Sequence, residues 1–240
     1  MSKKLNNFVS SFSPLQEELR SNIFKNIILK DSADLSNLLD DIVFIGGVAT
    51  YSHTNQQFPL LTEPSHDADL VMSRQSYQDL KEIEDMSHNH RLAKSQFIKN
   101  DIAYDIYVAG EQQLMVSHEN LLKFSTVVNG IRVACPEHLL TLKLHAALAR
   151  QNCPKGHKDC RDLFRLVCLL SNPRPEALKI NPIFMKFLEN LSHDQEDLLV
   201  ITKKNSHEAH KLKELYDKNL KIIKEVIKTN NKNNHHLSPV

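Results

Sequence analysis

The sequence predicts an α/β (α+β) protein in which a mixed sheet with flanking helices is followed by a helical part. A continuous apolar run, Ile42 to Ile45, is typical of a buried strand and ends at a glycine pair. Two hairpin patterns turn at Asn100-Asp101 and at Asn129-Gly130. From Pro136 onward the strand pattern vanishes. The chain has 240 residues, 41% of them hydrophobic, which is enough to bury a sizeable core.

The first predicted elements are helices. Ser13 as N-cap, Pro14 at the first helical position and Gln16 three residues after the cap predict a helix that runs to about Lys30. A second, short helix is predicted near Ser32 to Leu39. After the strand Ile42 to Ile45, small apolar residues from Val48 onward indicate a helix start.

Alternation and turn residues predict the elements of the sheet part. They are a loop over Asn55 to Pro64, a half-buried strand over Asp67 to Met72, a helix over Ser76 to Met86, and hairpin strands over Gln96 to Lys99, Ile102 to Val108, Thr126 to Val128 and Ile131 to Ala134.

Helical periodicity governs the rest of the chain. The predicted helices cover Leu139 to Arg150, Leu163 to Leu170, Ile183 to Leu191 and Gln195 to Ile227, the last with a break near Asn205. We therefore expect an α/β domain with N-terminal helices over residues 1–135, a helical domain over 136–229 and a disordered polar tail over 230–240.

Composition excludes several classes of protein. No apolar stretch approaches the roughly 20 residues that a membrane span needs, and the N-terminus has no apolar segment typical of a secretory signal. The expectation is a cytoplasmic protein with reduced thiols. The formal charge is +1, but residues 201–240 hold nine lysines against four acids. That segment is either a solvated helix face or a local RNA-binding surface.

A glycine pair and three acidic residues form the candidate site. Gly46 and Gly47 lie between a strand and a helix start, where backbone N–H groups and the helix dipole favour a phosphate. Asp67 and Asp69 are two residues apart on one strand, so they share a face. Asp105 adds a third carboxylate if its strand is a neighbour. Convergent carboxylates are typical ligands of Mg²⁺ (or Mn²⁺), so the pattern indicates metal-assisted phosphoryl chemistry.

Each of these features also has a purely structural explanation. The glycine pair can serve as a tight turn. Asp67 and Asp69 can be solvent-facing acids on an edge strand, and a register shift would transfer the role of Asp105 to Asp101.

The order of these residues resembles the nucleotidyltransferase superfamily, in particular the AbiEii-like branch with its abortive-infection and type IV toxin–antitoxin toxins. The resemblance covers roughly residues 40 to 170, and its motifs are the glycine pair, Asp67-Ala-Asp-Leu-Val, Asp105, and a helical Lys143 followed by Lys158-Asp159-x-x-Asp162. It implies that Asp67, Asp69 and Asp105 are catalytic residues that bind the metal. It also implies that the nucleotide is bound by Gly46, Gly47, Lys143, Lys158, Asp159 and Asp162.

The helical residues have structural alternatives as well. Lys143 lies among leucines, where its stem can cover apolar surface. Lys158, Asp159 and Asp162 can simply form the first turn of a helix, where the dipole favours acids.

Relatives in this superfamily commonly carry an arginine just before the DxD strand, whereas here the segment is Glu63-Pro64-Ser65-His66. Two functions therefore stay open. One is a Mg²⁺-dependent enzyme that moves a nucleoside monophosphate from an NTP to an RNA, protein or small-molecule acceptor, toxin-like and with an antitoxin partner. The other is a catalytically decayed protein of the same fold that acts as a binding or regulatory, RNA-interacting module.

Overall fold

Seven short strands form one mixed sheet, as expected for an α/β protein. The computed structural model describes residues 14–89, 94–150, 153–191, 194–203 and 205–235. The strands are β1 (Val43–Ile45), β2 (Ala68–Met72), β3 (Met86–Asn89), β4 (Lys94–Lys99), β5 (Ile102–Val108), β6 (Thr126–Val128) and β7 (Ile131–Val133).

The strand order places the acidic strands at the centre of the sheet. The order is β3-β4-β5-β2-β1-β7-β6, so β2 lies between β1 and β5. Strand β2 runs antiparallel to β1 and parallel to β5. Both predicted hairpins are confirmed, as β4–β5 and β6–β7. The positive φ angles at Asn100, Asp101, Asn129 and Gly130 are those that tight hairpin turns require.

The described part of the chain contains ten α-helices beside this sheet. They are α1 (Pro14–Ile23), α2 (Leu29–Leu38), α3 (Gly46–Gln57), α4 (Arg74–Lys81), α5 (His118–Phe124), α6 (Pro136–Ala149), α7 (Pro154–Leu169), α8 (Pro182–Leu191), α9 (Gln195–Ile201) and α10 (Ser206–His235).

The two predicted N-terminal helices form one continuous helical segment, which corrects the sequence interpretation. A π-helical turn, Phe24–Ile28, joins α1 to α2 without a cap. No glycine or proline interrupts this stretch, and the buried Phe24 and Ile28 anchor the turn in the core. The Tyr104 hydroxyl of β5 donates to Asp31 of α2 at 3.1 Å. This hydrogen bond holds the helical segment against the sheet.

Two further predictions needed correction, and one helix was missed. The helix predicted over Ser76 to Met86 ends at Lys81, and Met86 begins the edge strand β3, which pairs with β4. The loop predicted from Asn55 is helical to Gln57 and then forms a 3₁₀ turn. Helix α5 was not predicted. It begins where the Ser117 side chain accepts from the Asn120 amide.

The helical part shares its core with the sheet part. The central residues of helix α3, Val48 to Thr54, are buried between the sheet and the α6–α7 pair. Asn219 of α10 donates to the carbonyls of Val167 and Cys168 at 3.0 and 2.9 Å, and so satisfies the last turn of α7. The predicted break near Asn205 separates α9 from α10, but α10 continues to His235, past the predicted start of the tail at residue 230. Residues 236–240 lie outside the described residues.

No helix in the described ranges combines the length and the apolarity needed to cross a membrane.

His138 gives the fold a built-in acid sensitivity. The side chain is fully buried, neither ring nitrogen has a hydrogen-bond partner among the described residues, and the ring meets Phe124 edge-on at 5.4 Å. Burial lowers the pKa of His138 to about 4. In the unfolded chain the pKa is about 6.5, so the unfolded state binds more protons between the two values.

We therefore expect this contribution to stability to be complete above about pH 6.5 and to be lost as the pH falls through about 4, a change of about 3 kcal/mol. Urea unfolding at several pH values measures it. His138→Leu should remove this part of the pH dependence, whereas His207→Leu, at an exposed position, should not. An unchanged slope in His138→Leu would contradict the assignment.

Candidate active site

The sheet register brings two of the three candidate aspartates side by side. Asp69 of β2 pairs directly with Asp105 of β5, and both therefore lie on the same face. Asp67 directly precedes the first residue of β2, and its charge acts on Asp69. On the other side of β2, Asp69 pairs with Ile45, the last residue of β1. The chain then turns directly into α3 at Gly46.

Both glycines are required by close approach to the acidic strand. Gly46 has φ +66°, and a Cβ built on it would lie 2.3 Å from Asp69 Oδ2. A Cβ on Gly47 would lie 2.2 Å from the Ser65 hydroxyl. That hydroxyl donates to Asp67 Oδ1 at 3.1 Å. The first turn of α3 therefore lies in close contact with the side chains of Asp69 and Ser65. Only glycine, which has no Cβ, allows this contact.

Arginines from elsewhere in the fold hold the segment that precedes the DxD strand. Glu63 forms ion pairs with Arg161 and Arg165 of α7, at 3.2 and 3.0 Å. The Arg165 Nε also donates to the Leu61 carbonyl at 2.5 Å. From the opposite side, the Arg20 guanidinium contacts His66. The segment lacks an arginine of its own, yet arginines of α1 and α7 fix it in place.

The α6–α7 pair contributes a buried lysine with two acidic partners. Lys143 Nζ lies 2.7 Å from Asp162 Oδ2 and 3.3 Å from Asp159 Oδ1. Arg150 pairs with Asp159 at 2.8 Å, and Arg165 pairs with Asp162 at 3.0 Å. Burial alone would lower the pKa of Lys143, but Asp162 and Asp159 outweigh it and raise that pKa. Lys143 therefore stays charged.

The charge of Lys143 also reaches the acidic strand. Burial and the neighbouring charge of Asp67 raise the pKa of Asp69 to about 6, against the opposing charges of Lys94 and Lys143. Lys158 of α7 is half-buried, and its charge acts on His66 and Asp162. The structure thus gathers the predicted residues around one region, with the glycine turn and β2–β5 on one side and α6–α7 on the other. The roles assigned to them stay predictions.

Sequence reasoning missed Lys94, which lies at the centre of the acidic group. Lys94 Nζ is 2.5 Å from Asp105 Oδ2, 3.7 Å from Asp69 Oδ1 and 3.3 Å from the Tyr107 hydroxyl. The strand prediction began at Gln96, which pairs with Asp105. Extending the alternation by two residues would have placed Lys94 on the face of Asp105, so the signal was present in the sequence.

The donor set fits one Mg²⁺ better than two. Asp67 and Asp69 are two oxygen ligands of the kind that Mg²⁺ takes together with substrate phosphates. Asp105, in contrast, already holds the ammonium of Lys94. Within the described residues, no group of three or more His, Cys, Asp or Glu side chains is arranged to hold a metal ion.

Arg165 links helix α7 to the segment that precedes the DxD strand. Its side chain is 4% exposed and bridges the equally buried Asp162 to Glu63. Arg165→Met should lower the free energy of unfolding by about 1–3 kcal/mol, because Asp162 and Glu63 each lose one of their two cationic partners and the Leu61 carbonyl loses its donor. Lys228→Met, which breaks an exposed pair with Glu225, should change it by less than about 0.5 kcal/mol. Equal effects in chemical denaturation would contradict this ranking.

Comparison with solved structures identifies the fold. An antigenic nucleotidyltransferase-like protein from Paracoccidioides brasiliensis matches with a TM-score of 0.51 at 19% identity, over 77% of this chain and 94% of that protein. The fold is nucleotidyltransferase-like. Two Helicobacter pylori structures match with TM-scores of 0.42. They are JHP933, at 16% identity over 95% of this chain and 98% of that one, and a putative nucleotidyltransferase, at 14% identity over 92% and 98%. No protein-family model matches the sequence, and no curated protein is significantly similar to it.

Proposed function

We propose that this protein is a nucleotidyltransferase that moves a nucleoside monophosphate from an NTP to an acceptor and releases pyrophosphate. The observation that supports this most strongly is the contact of the Gly46–Gly47 turn with Asp69 and with the Ser65–Asp67 pair. It sets a helix start, which attracts phosphate, directly beside carboxylates suited to a divalent ion. The nucleotidyltransferase-like fold agrees with this proposal.

In this proposal, separate residues of the chain bind phosphate, supply positive charge and orient the acceptor. The first turn of α3 binds phosphate through its backbone N–H groups. Lys143, held by Asp159 and Asp162, presents a fixed positive charge toward the acidic strand, and Lys158 adds a second charge near His66. Asp105 lies beside Asp69 and orients the acceptor hydroxyl. Lys143 and Asp105 are fixed by buried ion pairs, so these two groups need little reorganisation when substrate binds.

Asp67 and Asp69 are the residues that would hold Mg²⁺ (or Mn²⁺). When bound, the ion would neutralise charge on the triphosphate and polarise the reacting phosphorus centre. The Ser65 hydroxyl keeps Asp67 oriented, and the glycine turn keeps water and side chains away from one side of Asp69.

The acceptor that we propose is an RNA, with a protein or a small molecule as alternatives that the same site can serve. The lysine-rich helix α10 supports RNA, since phosphate contacts are made by such surfaces. Several of its lysines also pair with carboxylates, which limits the free charge: Lys211 with Glu208, Lys213 with Asp217, Lys224 with Glu189 and Lys228 with Glu225. We also propose a toxin-like role with an antitoxin partner. Only the resemblance of the motifs to AbiEii-like proteins supports this part of the proposal.

A second candidate is a binding or regulatory module that retains the fold without the chemistry. The observation in its favour is the Lys94–Asp105 ion pair, because it occupies a carboxylate that an enzyme of this class would use. Nucleotide binding that depends on Mg²⁺ separates the two candidates.

The test is incubation of the purified protein with each α-labelled NTP, Mg²⁺, total RNA and a protein extract, with an EDTA-treated sample in parallel. Label that appears in one fraction and is lost with EDTA supports nucleotidyl transfer and gives the acceptor class. Absence of label, together with no heat of nucleotide binding in calorimetry, overturns the enzyme and leaves the binding module.

A further inference from the structure

The positively charged side chain of Lys94 lies beside the carboxylates of Asp105 and Asp69. Its side chain is 8% exposed, and that of Asp105 is 11% exposed. A buried ammonium is tolerated only when anions surround it, and Lys94 has Asp105, Asp69 and the Tyr107 hydroxyl within 4 Å. The two ion pairs keep the ammonium group at this position. Lys94 is therefore a fixed cation of the site.

We infer that Lys94 takes the place of one of the two cations of a two-metal site, so that this protein takes a single divalent ion with its nucleotide. This inference rests on the nucleotidyltransferase function proposed above. It makes Lys94 a positioning residue, which holds Asp105 in place beside Asp69 without a metal.

The position of Lys94 disfavours a metal ion on the same carboxylate oxygen. A Mg²⁺ bound to Asp105 Oδ2 would lie about 2.1 Å from that oxygen. Because Lys94 Nζ is 2.5 Å from Oδ2, the ion would be within about 5 Å of a like charge in a poorly solvated site. The Lys94 side chain is buried, and its Nζ also lies 5.1 Å from the centre of the Tyr107 ring.

Charge balance agrees with a single ion. Asp67, Asp69 and Asp105 carry three negative charges when ionised, and Lys94 neutralises one of them. The charge of Lys143 is already matched by Asp159 and Asp162. The remaining two negative charges are what one divalent ion at Asp67 and Asp69 would neutralise.

The experiment counts bound metal rather than activity. Mn²⁺ is titrated into the full-length protein in an equimolar complex with a non-hydrolysable NTP analogue, and free Mn²⁺ is followed by electron paramagnetic resonance. We expect one Mn²⁺ per complex for the natural sequence and two for Lys94→Met. Lys99→Met is the matched control, because Lys99 is on the same strand and pairs with Glu84 instead; it should still bind one.

Lys94→Arg keeps the charge and should also bind one Mn²⁺, which keeps the inference testable if Lys94→Met does not fold. Two Mn²⁺ in the natural protein or in Lys94→Arg, or one Mn²⁺ in a folded Lys94→Met, would overturn the inference while leaving nucleotidyl transfer intact. Failure of the natural protein to bind the analogue at all would overturn the proposed function and the inference together.

Discussion

Asp69→Asn is expected to lower nucleotide labelling by more than about 100-fold without destabilising the fold. Loss of a group that only orients a metal ligand costs roughly 10–100-fold, and Asp69 is proposed as a ligand itself. The side chain lies at the contact of β2, β5 and the glycine turn.

Although Asp69→Asn should lower activity, it should leave the stability of the fold unchanged or raise it. Burial and Asp67 raise the pKa of Asp69 to about 6, which means that the folded protein holds the ionised form at a cost at neutral pH. Asparagine has nearly the same shape and no charge, so the melting temperature should stay the same or rise. Thermal unfolding and the labelling assay, run on the same preparation, measure both effects.

Asp101→Asn is the matched control for this variant. Asp101 is exposed in the β4–β5 turn at φ +62°, a conformation that asparagine adopts readily. It should label as the natural protein does. If Asp69→Asn retains labelling, or loses it only because the protein unfolds, the proposed role of Asp69 is wrong.

Local patterns were sufficient to predict the central part of the fold. The apolar run before the glycine pair is β1, the alternation after Asp67 is β2, and both turns with asparagine or glycine close hairpins. These elements are specified within a few residues by period and turn chemistry, which is why single-sequence reasoning reaches them. Strand register then brought Asp69 opposite Asp105, which the sequence could only state as a condition.

Tertiary contacts decided what the sequence could not. Strand β3 is a short polar edge strand that exists because it pairs with β4, and the π-helical turn at Phe24–Ile28 forms because the core accepts its side chains. Likewise, Glu63 and Arg165 are about a hundred positions apart in the chain, and no periodicity links them. Lys94 differs from these cases, because its partner Asp105 lies on the adjacent strand of the same hairpin, and extending the predicted strand by two residues would have reached it.

Gly46→Ala should abolish nucleotide binding at a modest cost in stability. The added Cβ would lie 2.3 Å from Asp69 Oδ2 and 3.1 Å from its Cγ. The clash involves a side chain rather than the backbone, so the protein can relieve it by rotating the Asp69 carboxylate. That rotation moves the carboxylate away from the position it shares with Asp105 and Lys94. The fold survives, and the proposed metal ligand is displaced.

Gly110→Ala separates this effect from backbone strain. Gly110 also has a positive φ, +83°, but a Cβ there would meet nothing within 4 Å. Both variants should lose about 1–2 kcal/mol of unfolding free energy from the left-handed conformation, whereas only Gly46→Ala should lose nucleotide affinity in calorimetry. Because the two glycines are alike in backbone conformation and differ in what their Cβ would touch, equal nucleotide affinities would show that the close approach to Asp69 is structural only. A loss confined to Gly46→Ala would tie the glycine turn to the nucleotide through the carboxylate that it contacts.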